Sequence, residues 1–185
     1  RVRWRIGAST SSPLRAMRAA LSLLYKTSGL LAGFFLVAIA ALSLAQVVGR
    51  LAGFAAHSFD EFAGYCMAAA GFLALAHTLK RGEHIRVSLI LERLGVKARR
   101  GLELWSLFAA TLLSALFAFY SVRLAVQSWQ FNDVSTGNDA TPLCIPQIAM
   151  AVGTVVLAIA FVDELVLEWQ GRRRHVAPAD ALHNE

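Results

Sequence analysis

Asp163 and Glu164 are adjacent carboxylates near the end of a long apolar run, about two turns before Arg172, Arg173 and Arg174. Arg50 closes an earlier apolar run, and Asp60 and Glu61 open the next. Such groups can relay protons or hold cations, and ionisable residues at membrane depth are functional candidates by default. Each also has a structural reading. Asp163 and Glu164 read as interface groups that pair with a nearby Lys or Arg. Arg50, Asp60 and Glu61 stand at the same end of two successive runs and read as a charge cluster tying them together, because charges near lipid need partners. His77, one turn before Lys80, reads as a helix-end hydrogen bonder; no second His stands at a matching depth to complete a haem site. Cys66 and Cys144 have no CxxC or metal-ligand spacing and read as two buried free thiols. With no nucleophile constellation, phosphate loop or metal motif, an enzyme reading has no support, and no cofactor is expected on this chain.

These residues must be positioned by long apolar elements. The chain of 185 residues is 57% hydrophobic and only 16% charged, with a mean hydropathy of +0.54. A soluble domain carries about 25% charge. Four segments of membrane-spanning length hold most of the apolar content, at about 27–49, 60–79, 102–125 and 142–169. The first has no charge at all and, at 23 residues, is too long for a signal-peptide core of about 7–15; it reads as a retained span. The expected fold is therefore an all-α integral membrane protein of four transmembrane helices. A basic N-terminal tail covers 1–26, within which Leu14 to Tyr25 can form a short amphipathic entry to the first span at the interface, and a polar C-terminal tail covers 171–185.

Charge sets the orientation. Of the 18 Lys and Arg residues, six lie in the N-terminal tail, seven between positions 80 and 100, and three in the C-terminal tail. Arg50 and Arg123 alone fall on the other side. The positive-inside rule then predicts both termini cytoplasmic. The net charge of +6 points to membrane lipids, anionic headgroups included, rather than nucleic acid, because the basic residues sit beside apolar runs. Between spans two and three, Val87, Ile90, Leu91 and Leu94 follow helical spacing and predict a short amphipathic surface helix over about 84–94. The second span is crowded with small residues. Gly64 and Ala68, four apart, predict a face that a neighbouring backbone approaches closely. The fourth span opens at Thr141-Pro142 or at Ile145-Pro146, since Pro is tolerated in a first helical turn.

The pattern also resembles a known family. Val47-Val48-Gly49-Arg50 closing the first span, Asp60-Glu61 and Tyr65 in the second, Lys80-Arg81-Gly82-Glu83-His84-Ile85-Arg86-Val87 after it, and Thr141-Pro142-Leu143-Cys144-Ile145-Pro146-Gln147 are similar, in this order, to motifs of the small membrane subunit of tripartite ATP-independent periplasmic (TRAP) transporters. The resemblance covers roughly residues 24–170. Asp60 stands where a second Glu is common, and Ser88 replaces a frequent Asp. The resemblance implies a non-catalytic scaffold in a bacterial inner membrane, packed against a large elevator-type membrane subunit that carries the sodium and substrate sites. A periplasmic substrate-binding protein would deliver an organic acid. Arg50, Asp60, Glu61, Gly64, Tyr65, Ala68, His84, Arg86, Arg123, Pro142 and Pro146 are then structural or interface candidates, not catalytic ones. The alternative is a small self-contained proton-coupled exporter, which should show an acidic residue deep within a span. The uncharged runs 27–49 and 62–79 weigh against it, as the lack of a bis-His or cysteine pair weighs against a quinone-linked redox protein.

Overall fold

A computed structural model describes residues 12–53, 58–81, 96–137 and 140–170. It is built of four long helices: α1 Ser12–Leu51, α2 Ser58–Arg81, α3 Val96–Phe131 and α4 Cys144–Trp169. All four are long and apolar enough to cross a membrane. The shortest, α2, has 24 residues and reaches about 36 Å, against a hydrocarbon core of about 30 Å. The predicted surface helix at 84–94 lies outside the described residues, as do 171–185.

The first helix is longer than charge alone suggested. It has 40 residues, about 60 Å of helix, and includes much of the segment read as a tail. Two causes are visible. Ala16, Met17, Ala19, Ala20, Leu21, Leu23 and Leu24 are all strong helix formers, and Pro13 falls in the first turn, where it does no harm. Tyr25 is also buried in a cluster with Ala76, Leu79, Val156 and Ala160, against which Leu21 and Leu24 pack. The N-terminal turns are thus held by tertiary contacts as well as by propensity.

The helices are arranged in the order α1, α2, α4, α3, which puts α2 and α4 at the centre. Tyr25 and Ser28 of α1 meet His77 and Leu73 of α2, so this pair is antiparallel. Phe72 and Lys80 of α2 meet Gly153 and Asp163 of α4, so these two run parallel. Gly153 is required here: a Cβ would stand 2.6 Å from the Phe72 carbonyl carbon. The rings of Phe72 and Phe117, 5.9 Å apart, connect α2 to α3.

On α3 the packing inverts the pattern of a soluble helix. Ser114, Ala118, Ser121, Ala125 and Ser128 are buried in steps of four and three, while Phe108, Leu112, Leu113, Leu116, Phe119 and Tyr120 are exposed. In lipid, apolar side chains gain little by turning inward, so small residues that admit a close neighbour take the packed face. Two exposed tryptophans, Trp105 and Trp129, stand about 36 Å apart along the helix, the separation of the two membrane interfaces where Trp concentrates.

A closed hairpin joins α3 to α4. Asp133 N–H donates to Ser128 O at 3.0 Å, Ser135 N–H to Thr141 O at 2.8 Å, and Leu143 N–H to Asp133 O at 2.9 Å. An isolated bridge pairs Val134 with Pro142. Of the two predicted starts of the fourth span, the helix takes one just before the second: it begins at Cys144, with Pro146 in its first turn and Pro142 left in the hairpin.

Candidate functional site

The ionisable groups that the fold does bring together lie at one end of α1, α2 and α4. Lys80 Nζ donates to Asp163 Oδ2, and to Glu164 Oε1 at 3.0 Å. The same ammonium stands 5.2 Å from the centroid of the Tyr25 ring, a cation–π distance. The side chains are largely withdrawn from solvent, at 20% exposure for Lys80, 25% for Asp163 and 13% for Glu164. Consecutive residues on a helix point about 100° apart, so Asp163 and Glu164 grip Lys80 from two sides. Close by, His77 Nδ1 lies 3.1 Å from the Tyr25 carbonyl oxygen and donates to it in the Nδ1–H tautomer. Ser28 Oγ donates to the Leu73 carbonyl. His77 therefore bonds across to α1 rather than to the end of its own helix. Its ring lies where a Cβ on Gly29 would otherwise be, 2.7 Å from the ring atoms, which makes Gly29 a point of close approach between α1 and α2.

This arrangement ties three helices together. No Asp, Glu, Lys or Arg occurs in 27–49 of α1, 62–79 of α2, 104–122 of α3 or 145–162 of α4.

The other predicted residues are dispersed. Arg50 is exposed in the last turn of α1 and, among the described residues, makes no ion pair with Asp60 or Glu61; the expected cluster is not formed. An arginine at a helix end reaches water without a partner. Glu61 turns instead toward the α3–α4 hairpin, where its carboxylate lies against Gly137 in the space a Cβ there would need. Asp60 is exposed. Tyr65 stacks edge-on to Phe62, with ring centroids 6.1 Å apart. Gly64 is exposed, and a Cβ added to it would meet no atom within 4 Å, so the face it shares with Ala68 is not the packed one within this chain. The packed face of α2 is Ala69, Ala70, Leu73, Ala76 and Leu79. Arg123 is exposed along a groove of about 830 Å³ between α3 and α4. Cys144 is buried, Cys66 only partly, and both are free. His84 and Arg86 lie outside the described residues.

The profile of the family described as "Tripartite ATP-independent periplasmic transporters, DctQ component" matches residues 39–171, most of the chain. The chain belongs to this family. No curated protein matches it. As a DctQ component it is one part of a transporter that works with other TRAP components, and its four helices make it a multi-pass membrane protein.

Three features of this DctQ component were not apparent from its residues taken one segment at a time: Lys80 as the partner of Asp163 and Glu164, the burial of Tyr25, and the small-residue seam of α3. Depth could have paired Lys80 with Asp163, since both lie near the basic end of their spans. The seam could likewise have been found as Ser or Ala recurring in steps of four and three from Ser114 to Ser128.

Proposed function

We propose that this chain is the stationary, non-catalytic scaffold of a sodium-coupled, binding-protein-dependent secondary transporter for organic acids, set in a bacterial inner membrane. Both termini face the cytoplasm, and the spans pack against the large elevator-type subunit. That partner, not this chain, carries the sodium and substrate sites. The observation carrying this reading is the uncharged middle of four unbroken helices, whose inner-end charges are engaged with one another. Solute and ion sites of secondary transporters use interrupted helices and polar groups near the midplane. A self-contained proton-coupled exporter would need a carboxylate there.

The surface supports a docking role. Gly64 and Gly71, two turns apart on α2, are exposed with open space at the Cβ position, a surface on which another helix can lie closely. Replacing both with Leu should leave the thermal stability of the isolated chain within about 0.5 kcal/mol and reduce co-purification of the large subunit from native membranes. Undiminished co-purification would remove this face from the interface. Orientation is tested by cysteine labelling. Asn138→Cys should react with a membrane-impermeant thiol reagent from outside and Lys97→Cys only from inside; the reverse pattern would overturn the topology.

A further inference from the structure

The Lys80 group forms one wall of a pocket of about 700 Å³ between α1, α2 and α4. Its walls combine two chemistries. Arg18, Lys26 and Arg81 stand around it with Lys80, while Leu21, Leu30 and Leu167 supply apolar surface. Lys80 is taken up by Asp163 and Glu164, so the positive charge offered to a ligand is that of Arg18 and Lys26. The Tyr25 hydroxyl, buried beside it, makes no hydrogen bond among the described residues. The placement is equally specific. Arg18 and Lys26 precede the uncharged run that begins at Thr27, and Gly29 and Leu30 lie within it. The pocket thus crosses the level where headgroups give way to acyl chains, with cations on the headgroup side.

We infer that this pocket is a binding site for an anionic phospholipid, its phosphate held by Arg18 and Lys26 and an acyl chain lying along Leu30 and Leu167. A phosphate group is the shared chemistry of a lipid headgroup and a soluble phosphate ester. The apolar wall favours the lipid, because a soluble ester would leave Leu21, Leu30 and Leu167 uncovered. Basic pockets between spanning helices on the cytoplasmic side suit such headgroups. The lipid would wedge α1 against α2 and α4 where the ion group already joins them. Lipid binding here is independent of the transport role, since the pocket alone defines the site.

The test uses the full chain, delipidated in detergent, with retained lipid read by native mass spectrometry. The probes are dioleoylphosphatidylglycerol, dioleoylphosphatidylcholine and glycerol 3-phosphate. Phosphatidylglycerol should be retained about tenfold more tightly than phosphatidylcholine, and the double variant Arg18→Gln, Lys26→Gln should lose that preference. Both side chains are exposed, so the variant should fold, which its unfolding temperature checks. Arg123→Gln, on the α3–α4 groove, should retain phosphatidylglycerol like the parent chain. Equal retention of the two lipids, or a double variant that keeps the preference, would overturn the site. An equal loss in Arg123→Gln would reduce it to general surface charge, and displacement of the lipid by glycerol 3-phosphate at comparable concentration would make the ligand a soluble phosphate.

Discussion

The two ends of this helix bundle are fastened by different means. At the Lys80 end, side chains make the links: Lys80 between Asp163 and Glu164, His77 on the Tyr25 carbonyl, and Ser28 on the Leu73 carbonyl. At the hairpin end the fastening is mostly main chain. The 133–143 hairpin closes on itself through backbone hydrogen bonds and meets α2 where Glu61 lies against Gly137. The Lys80 end draws its strength from charges withdrawn from solvent, which are weak links when complete and costly ones when broken. The hairpin end depends on backbone conformation, including positive φ at Asn132 and Ala140. One end therefore responds strongly to charge changes and the other only weakly to added volume.

That contrast can be broken in graded steps. The largest effect is expected from Lys80→Met, which leaves Asp163 and Glu164 side by side without their cation. Thermal unfolding in detergent should show a loss of roughly 2–3 kcal/mol, a little under the range for a broken buried pair because water reaches part of the group. Asp163→Asn should lose less, about 1 kcal/mol, since Lys80 keeps Glu164. A Lys80→Met variant as stable as the parent would show that these charges do not hold the helices.

At the hairpin end, Gly137→Val should push the Glu61 carboxylate aside at a cost of under about 1 kcal/mol, because Gly137 is exposed and the crowded atoms are the far end of a flexible side chain. A loss as large as that of Lys80→Met would mean that this contact fastens its end as firmly as the ion group does. The smallest effect is expected at Arg50. Because it is exposed and makes no ion pair with Asp60 or Glu61, Arg50→Gln should change stability by less than about 0.5 kcal/mol. A loss above roughly 2 kcal/mol, the size expected of a broken charge network, would restore the cluster expected from its position.

What could be read in advance follows the same division. The spans were legible because length and missing charge are properties of single segments; the hairpin was not, because a polar stretch does not show that its backbone closes on itself. The Lys80 ion group was half legible: Asp163 and Glu164 were expected to find a cation, but the residue supplying it depends on α2 and α4 lying parallel and adjacent, which no single segment encodes. The helical start at Ser12 was half legible: Leu14 to Tyr25 read as an amphipathic entry to the first span lying at the interface, whereas Tyr25 and Leu21 anchor those turns in the bundle. Gly64 pointed to a packed face and the structure leaves it open, because small residues mark a surface that can be approached without saying whether the neighbour is in this chain or another. For α3, the usual signal is inverted in lipid, where Ser114 and Ser121 pack and Phe108 and Leu113 do not.

The central claim, that this chain supports transport without performing it, is tested most directly by reconstitution. Purified chain alone in proteoliposomes, with an inward sodium gradient and a panel of labelled organic acids, should show no uptake above protein-free liposomes. Adding the cognate large subunit and the substrate-binding protein should produce sodium-driven uptake of one class of acid. Sodium-driven uptake, or proton-driven export, by this chain alone would contradict the account.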